Sequence, residues 1–449
     1  MKITITLKLT LAALGLMLSG NLFATTVEFW TTETQSERMT VIETLAATFE
    51  ALNPDVTVKV VPVDENDMAT QIAAAAAAGT LPQLIEAGSE LIMAFGEEGI
   101  LNTDLSKDVL NTVGKKNFYT GALNMLRTPK GGHYYGLPYH GWIQGIWYRK
   151  DWFEQAGLKP PTDWNSILKA AETFTKPDQN QYGILVGTKV EGYSEQVFTH
   201  LALSNKAAEF NKKGELIFDS KATVETLEFY KKLAQYNPPG PQNWRARDYY
   251  LQGKMAMFFY STYIMDDLAL AEVAKGSLTA DNFAELSGGK FDPNLVKNTG
   301  FVPIIHHKTD ASYGVLVGLA GVDLSDDAEA DATRRLVEFL YEPAPYITFL
   351  HMAPGGMNPM IKGIAENPQY LKDPNGVFEL YGVDKIKEII AGFEKIKTFS
   401  VVDGEVFPQS GEIFAKQIIP QMIYSTIFEG VSAESAVKQA TQKMQQLMD

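Results

Sequence analysis

The chain has 449 residues, of which 45% are apolar and 21% charged; it is too long for one ordinary core and too apolar for disorder, so a soluble protein of two domains is expected. A formal charge of −15 repels phosphate backbones and anionic lipid heads, which excludes nucleic acid and direct membrane attraction as modes of action. The absence of cysteine removes thiol nucleophiles, disulfides and a lipidated thiol anchor, leaving core burial to hold the fold.

Lys2 and Lys8, the apolar run Leu9 to Leu18, and the small residue Ala24 after Asn21-Leu22-Phe23 form the layout of a secretory signal peptide over 1–24. The apolar run is too short to span a bilayer. Losing Lys2 and Lys8 takes the charge from −15 to −17. An exported chain with no cysteine to carry a lipid is expected to be a free periplasmic monomer.

Thr25 to Trp30 alternates as a strand, Val41 to Asn53 has helical spacing, and Asn53-Pro54 ends that helix. Val56 to Val63 alternates again, Met68 to Ala78 is an alanine-rich helix stopped by Gly79, and Leu84 to Ala87 is a third strand. This order predicts an α/β fold that starts with parallel strands covered by helices. Later, Asp163 is placed to cap a helix carrying Ile167, Leu168, Ala171 and Phe174. Tyr182 to Val186 and Gly253 to Phe259 read as strands, and Gly300 to Pro303 and Val315 to Val322 as extended returns. Helices are expected after Phe218-Asp219-Ser220 through Tyr236, from the acidic start Asp326 to Asp331 through Leu340, and from Ala433 onward.

The run from Tyr135 to Leu158, YGLPYHGWIQGIWYRKDWFEQAGL, resembles the segment where family 1 extracellular solute-binding proteins of ABC importers cross from their first lobe to their second. Tyr148, Lys150, Asp151, Ala156, Gly157, Leu158, Pro160 and Pro161 carry that resemblance. Ala77-Ala78-Gly79-Thr80-Leu81-Pro82 is similar to a turn of the family's first lobe, with Gln83 where aspartate is usual, and Gly253-Lys254-Met255-Ala256-Met257 and the Ser432-Ala433-Glu434 helix start also match. The resemblance implies a two-lobed periplasmic-binding-protein fold with discontinuous lobes and an interlobe ligand cleft. The expected division is 25–138 with 304–352 for the N-lobe, and 139–303 with 353–449 for the C-lobe. It also implies a carbohydrate ligand and the transmembrane subunits of an ABC importer as partners.

Enzyme signatures such as GxSxG, a Walker loop, GxGxxG or HExxH are absent, and the six histidines are scattered. No catalytic group, metal centre or cofactor is therefore expected, although paired carboxylates for glycoside hydrolysis are defined only in space. Sugar binding needs aromatic faces beside amides, carboxylates and hydroxyls, because each unmatched polar group in a drying cleft costs about 1–3 kcal/mol. Strand ends and turns supply the candidates: Thr32, Glu33 and Gln35; Ser89 and Glu90; Tyr139, His140 and Trp142; Tyr193; Trp244; Ser261 and Tyr263; and Gly355, Gly356 and Met357. Helix caps, core aromatics and plain turns are the alternative roles for these residues. Trp164, Trp147 and Tyr148 are assigned to packing. Arg245 and Arg247 keep an anionic ligand open, Glu33, Glu90 and Glu191 a cationic one, and an exported carbohydrate-active enzyme is the remaining alternative.

Overall fold

The computed structural model describes residues 24–129, 131–323, 326–402 and 404–448. The expected leader, apart from Ala24, lies outside them. The first three strands, β1 (Thr25–Thr31), β2 (Val56–Pro62) and β3 (Leu84–Gly88), alternate with helices α1 (Ser36–Leu52) and α2 (Glu65–Ala78). β1 pairs in parallel with both β2 and β3, as the strand–helix rhythm predicts. A third helix, α3 (Ser89–Glu97), leaves directly from β3.

The rest of the sheet is built on two long strands, β4 (Leu137–Arg149) and β9 (Asp310–Gly321). Between them in sequence come β5 (Tyr182–Leu185), β6 (Met255–Ser261), β7 (Thr299–Val302) and β8 (Ile304–His306), and β10 (Asn358–Pro359) follows. The sheet order is β2-β1-β3-β9-β4-β6-β5, with β7 and β10 on β4 and β8 on β9. β9 runs antiparallel to β3 through Val317–Gly321 and antiparallel to β4 through Tyr313–Leu319. At Gln144, β4 changes partner and pairs onward with β6 and β7. The sheet is therefore mixed, and the fold is a two-lobed α/β architecture threaded by these two strands. Their burial explains their composition: every residue of β4 except Arg149 is buried, so the strand carries no polar alternation.

Local signals place the helices. Asp163 accepts from Asn165 N and Ser166 N in a capping box, while Ser220 and Asp326 accept from the amides of their own first turns. Gly79 closes α2 at φ +69°, a conformation that costs glycine little. Trp164 lies between Phe229 and His307, with ring centroids 4.1 and 3.9 Å away and nearly parallel planes, which is the packing role its position predicts.

Late segments tie the halves together. The helix Gln409–Ala415 packs on α3 so closely that a Cβ at Gly411 would overlap the Glu90 carbonyl oxygen. Its successor, Ile418–Phe428, packs on Gly192–Ser204 and on the last helix, Ala433–Gln446. Near this junction Glu195 and Glu209 are buried, each with one carboxyl oxygen lacking a hydrogen-bond partner. Burial, with the charge of Glu209 and then Glu90 adding, pushes the Glu195 carboxyl well up. Burial likewise pushes Glu209 up to about 8, opposed by the Ser410 hydroxyl and reinforced by Glu90.

Two expected outcomes follow from this packing. In β5, a Cβ at Gly183 would overlap the carbonyl oxygen of Ala171, which is backbone and cannot rotate away; Gly183→Ala should lower stability in urea unfolding by about 1–3 kcal/mol. The folded chain holds a proton on Glu209 between its ordinary value of 4.5 and about 8, where the unfolded chain releases it. That contribution is complete below the ordinary value and is lost as pH rises through the window. Urea titrations across it should show a shallower loss of stability for Glu209→Gln than for the parent; an equal slope would refute the assignment.

Candidate functional site

A cavity of about 420 Å³ lies between the loops that follow β1 and β2 on one side and residues 191–196, 244–247 and 260–267 on the other. Its floor is Trp142 and Gln144 from β4 with Val315 and Val317 from β9. The size and the mixture of aromatic and polar groups suit a small-molecule site.

The first wall is the turn from Thr31 to Gln35. The side chain of Gln35, which precedes α1, makes no capping bond, so ordinary helix capping does not fix this turn. Glu86 of β3 does so instead: its Oε2 accepts from Thr31 Oγ1 at 2.5 Å and from Thr32 N at 3.1 Å. Glu33 ion-pairs with Arg38 at 2.7 Å. Below it, Asp64 caps α2 by accepting from Asn66 N at 2.9 Å. Surrounding protein, then the charges of Glu90 and Asp64, raise the neighbouring Glu65 carboxyl, and the exposure of that residue to solvent tempers the effect.

The second wall starts at Glu191, whose Oε1 accepts from Trp244 N at 3.1 Å. Burial raises the Glu191 carboxyl, while the Trp244 amide pulls the other way. The guanidinium groups of Arg245 and Arg247 lie 4.5 and 5.2 Å from the Trp244 ring. Arg247 also pairs with Asp267 at 2.9 Å and donates to Tyr260 Oη at 3.3 Å. Among the described residues, Arg245 is the cavity-lining arginine without a carboxylate in ion-pair range.

The walls touch. Tyr263 Oη donates to Glu33 Oε1 at 3.4 Å, Arg38 sits 5.1 Å from the Tyr263 ring, and Gly192 N donates to Asn66 Oδ1 at 3.5 Å. The halves are thus drawn together around the cavity.

Thr32, Glu33, Gln35, Trp142, Tyr193, Trp244, Ser261 and Tyr263, all singled out from sequence, line this one space. The others do not. Tyr139 is in the core, stacked on Tyr346 at 4.9 Å and donating to Leu340 O at 3.2 Å. A register shift between Pro138 and His140 and the alternation of the strand send Tyr139 to the face opposite Trp142. His140 shares the floor side but is fully buried, with Nε2 2.9 Å from Glu86 Oε1. Ser89 and Glu90 open α3 rather than forming a loop, and Ser89 Oγ donates to Glu90 Oε2 at 3.0 Å behind the Gly88 lining. Gly355, Gly356 and Met357 stand behind the site: Gly355 packs on Met265, Gly356 lies against the Tyr263 ring, and Met357 is core. With Gly356 against its ring and Arg38 over it, Tyr263 offers its hydroxyl rather than an open face.

Arg38, Asp64, Glu65, Asn66, Gln144, Gln196 and Tyr260 line the cavity without having been singled out. The Asp64-Glu65-Asn66 turn was findable, since it follows β2 just as the chosen turns follow β1 and β3. Tyr193, chosen as a strand-end or turn residue, lies in the first turn of the helix Gly192–Ser204.

Glu33, Glu86 and His140 bring three possible metal-ligand atoms within 4.8 Å of one another. Each is already engaged, by Arg38, by Thr31 and Thr32, and by Glu86 respectively. Both carboxylates and the imidazole are thus committed to protein partners.

The model of the bacterial extracellular solute-binding protein family matches residues 33–346. YcjN of Escherichia coli K12, provisionally named a periplasmic-binding protein of an ABC transporter, is 29% identical over 424 residues, covering 94% of this chain and 93% of its own. The mannitol-binding protein of Pseudomonas aeruginosa is 29% identical over 219 residues, 44% of this chain and 46% of its own. Among solved structures, a solute-binding protein of Agrobacterium radiobacter K84 in complex with ribitol superposes with a TM-score of 0.75 at 19% identity, covering 95% of this chain and 99% of that one. The maltose-bound MalE3 of T. maritima gives 0.71 at 16% identity over 94% and 100%. Those two likenesses concern the fold, whereas the family match spans most of the sequence: the chain belongs to the bacterial extracellular solute-binding protein family.

Proposed function

We propose that the protein works in the periplasm, captures a sugar or polyol in the interlobe cleft and hands it unaltered to the transmembrane subunits of an ABC importer. The observation that carries the ligand class is the floor. Trp142 meets Tyr313 edge-on at 6.3 Å and lines the cavity, and among the described residues it has no ring stacked parallel on it and no cation over it. Around it stand groups suited to hydroxyls: Glu33, Gln144, Glu191, Gln196 and Ser261. The names of the mannitol-binding relative and the ribitol complex support the same class.

Function requires an open and a closed form, with the solute bound more tightly by the closed one. The lobes are assigned as 25–138 with 304–352 and 139–303 with 353–449, hinged where β4 and β9 pass between them. The packing of Gln409–Ala415 on α3 supports counting that late helix with the first lobe instead. No bond is made or broken in this cycle, and no cofactor is called for.

An anionic solute is the second reading, favoured by the unpaired Arg245. A further relative, the sn-glycerol-3-phosphate-binding periplasmic protein UgpB of Salmonella typhimurium, is 29% identical over 271 residues, 49% of this chain and 57% of its own.

A thermal-shift screen of the mature protein against sugars, polyols, phosphodiesters and polyamines decides between them. A solute at 100 times its dissociation constant should stabilise by about 2.7 kcal/mol. Sugars or polyols should give the shift, and the sugar should be recovered intact after long incubation. Trp142→Leu, which keeps apolar bulk but no ring, should weaken that binding by roughly 1 kcal/mol. A shift from phosphodiesters or polyamines alone, or shortened products, would reject the assignment.

A further inference from the structure

We propose that Glu86, held by His140, is a positioning residue that sets the shape of the Thr31–Gln35 turn and thereby the first-lobe wall of the cleft. The functional meaning of this role rests on the solute-binding reading above, but the geometry does not. Glu86 and His140 lie on different strands with β9 between them: Glu86 faces Leu319, and His140 faces Val317. Both side chains are on the floor side, where Val317 lines the cavity, and they meet over β9 with Nε2 and Oε1 2.9 Å apart.

The other carboxylate oxygen does the positioning. Oε2 accepts from Thr31 Oγ1 at 2.5 Å, from Thr32 N at 3.1 Å and from Thr32 Oγ1 at 3.5 Å. Thr31 Oγ1 in turn accepts from Glu33 N at 3.1 Å. A continuous chain of contacts therefore runs from His140 through Glu86 and Thr31 to the backbone of Glu33. The Glu33 carboxylate then receives Arg38 of its own wall and Tyr263 Oη of the facing wall. Thr31, Glu86 and His140 have essentially no exposed surface, so water does not substitute for a lost partner.

The chemistry demands a carboxylate. Every neighbour of Glu86 is a donor, and an acceptor-only group satisfies them all. A glutamine would aim its NH₂ either at the Thr32 amide or at His140. The pairing also assigns the His140 proton to Nε2, since Nδ1 is buried without a partner and a bare nitrogen is less costly there than an unpaired N–H. Because Gln35 provides no side-chain cap for α1, this chain is a buried side-chain tie on the backbone of the turn, beside the main-chain bonds from Val63 N to Thr31 O and from Met39 N to Gln35 O.

The test uses ligand-free protein, so its outcome is separate from that of the solute screen. Amide hydrogen exchange would be followed at Thr32 and Glu33 and, as a remote reference, in the helices Ile418–Phe428 and Ala433–Gln446. Glu86→Gln and His140→Leu should each speed exchange in the turn by ~10-fold or more, the scale of a lost buried hydrogen bond, with the reference helices unchanged. His140→Gln, which can still donate to Glu86, should stay near the parent rate. Nitrogen-15 spectra should place the His140 proton on Nε2. If Glu86→Gln does not fold, Thr31→Val removes one link and should give the same local rise. Unchanged exchange in the turn, a uniform rise throughout the molecule, or a proton on Nδ1 would each overturn the proposal.

Discussion

The antiparallel pairing of β4 with β9 is the constraint from which the site follows. These strands lie at the centre of the sheet and carry its order from the parallel β2-β1-β3 group to the β6-β5 group. Because both are buried along nearly their whole length, neither tolerates polar side chains except where these meet partners or face the cavity. The polar exceptions are the informative positions: His140 meets Glu86, and Gln144 donates to Gln196 O at 3.0 Å. Trp142, between them on the same face, completes the floor.

Charge in the cleft is organised by pairing within each wall. Glu33 with Arg38 and Arg247 with Asp267 neutralise each other before any solute arrives. That leaves mostly hydrogen-bonding capacity and ring faces, which is what a neutral hydroxylated solute requires. Among the described residues, Arg245 and the carboxyl groups of Asp64, Glu65 and Glu191 line the cavity without an ion-pair partner. Arg245 and Glu191 stand on one wall, and Asp64 and Glu65 on the other.

Much of the fold was legible because its signals are local. The alternation of Thr25 to Trp30, the stop at Gly79, the cap at Asp163 and the helix starts near Ser220 and Asp326 depend on neighbours a few residues away. Eight of the candidate site residues converge in one cavity because strand ends and the turns after them collect at one edge of an α/β sheet. Tyr139 and Gly356 lie outside that lining for reasons that their immediate neighbours do not show. Tyr139 differs from Trp142 by the parity of a strand whose register shifts at Pro138 to His140, and Gly356 serves the site only by backing the Tyr263 ring.

From the sequence alone came the strand and helix order, the absence of enzyme signatures, and, through the motifs of the crossing segment, a two-lobed binder. Those are properties of composition, period and short spacing. Tertiary structure decided which aromatic keeps an unstacked face, which arginine lacks a carboxylate, and that Glu86 rather than a helix cap holds the first wall. Each of these depends on distances between residues far apart in the chain, such as Thr31 and Glu86 or Arg38 and Tyr263, and no pattern of neighbouring residues encodes such a distance.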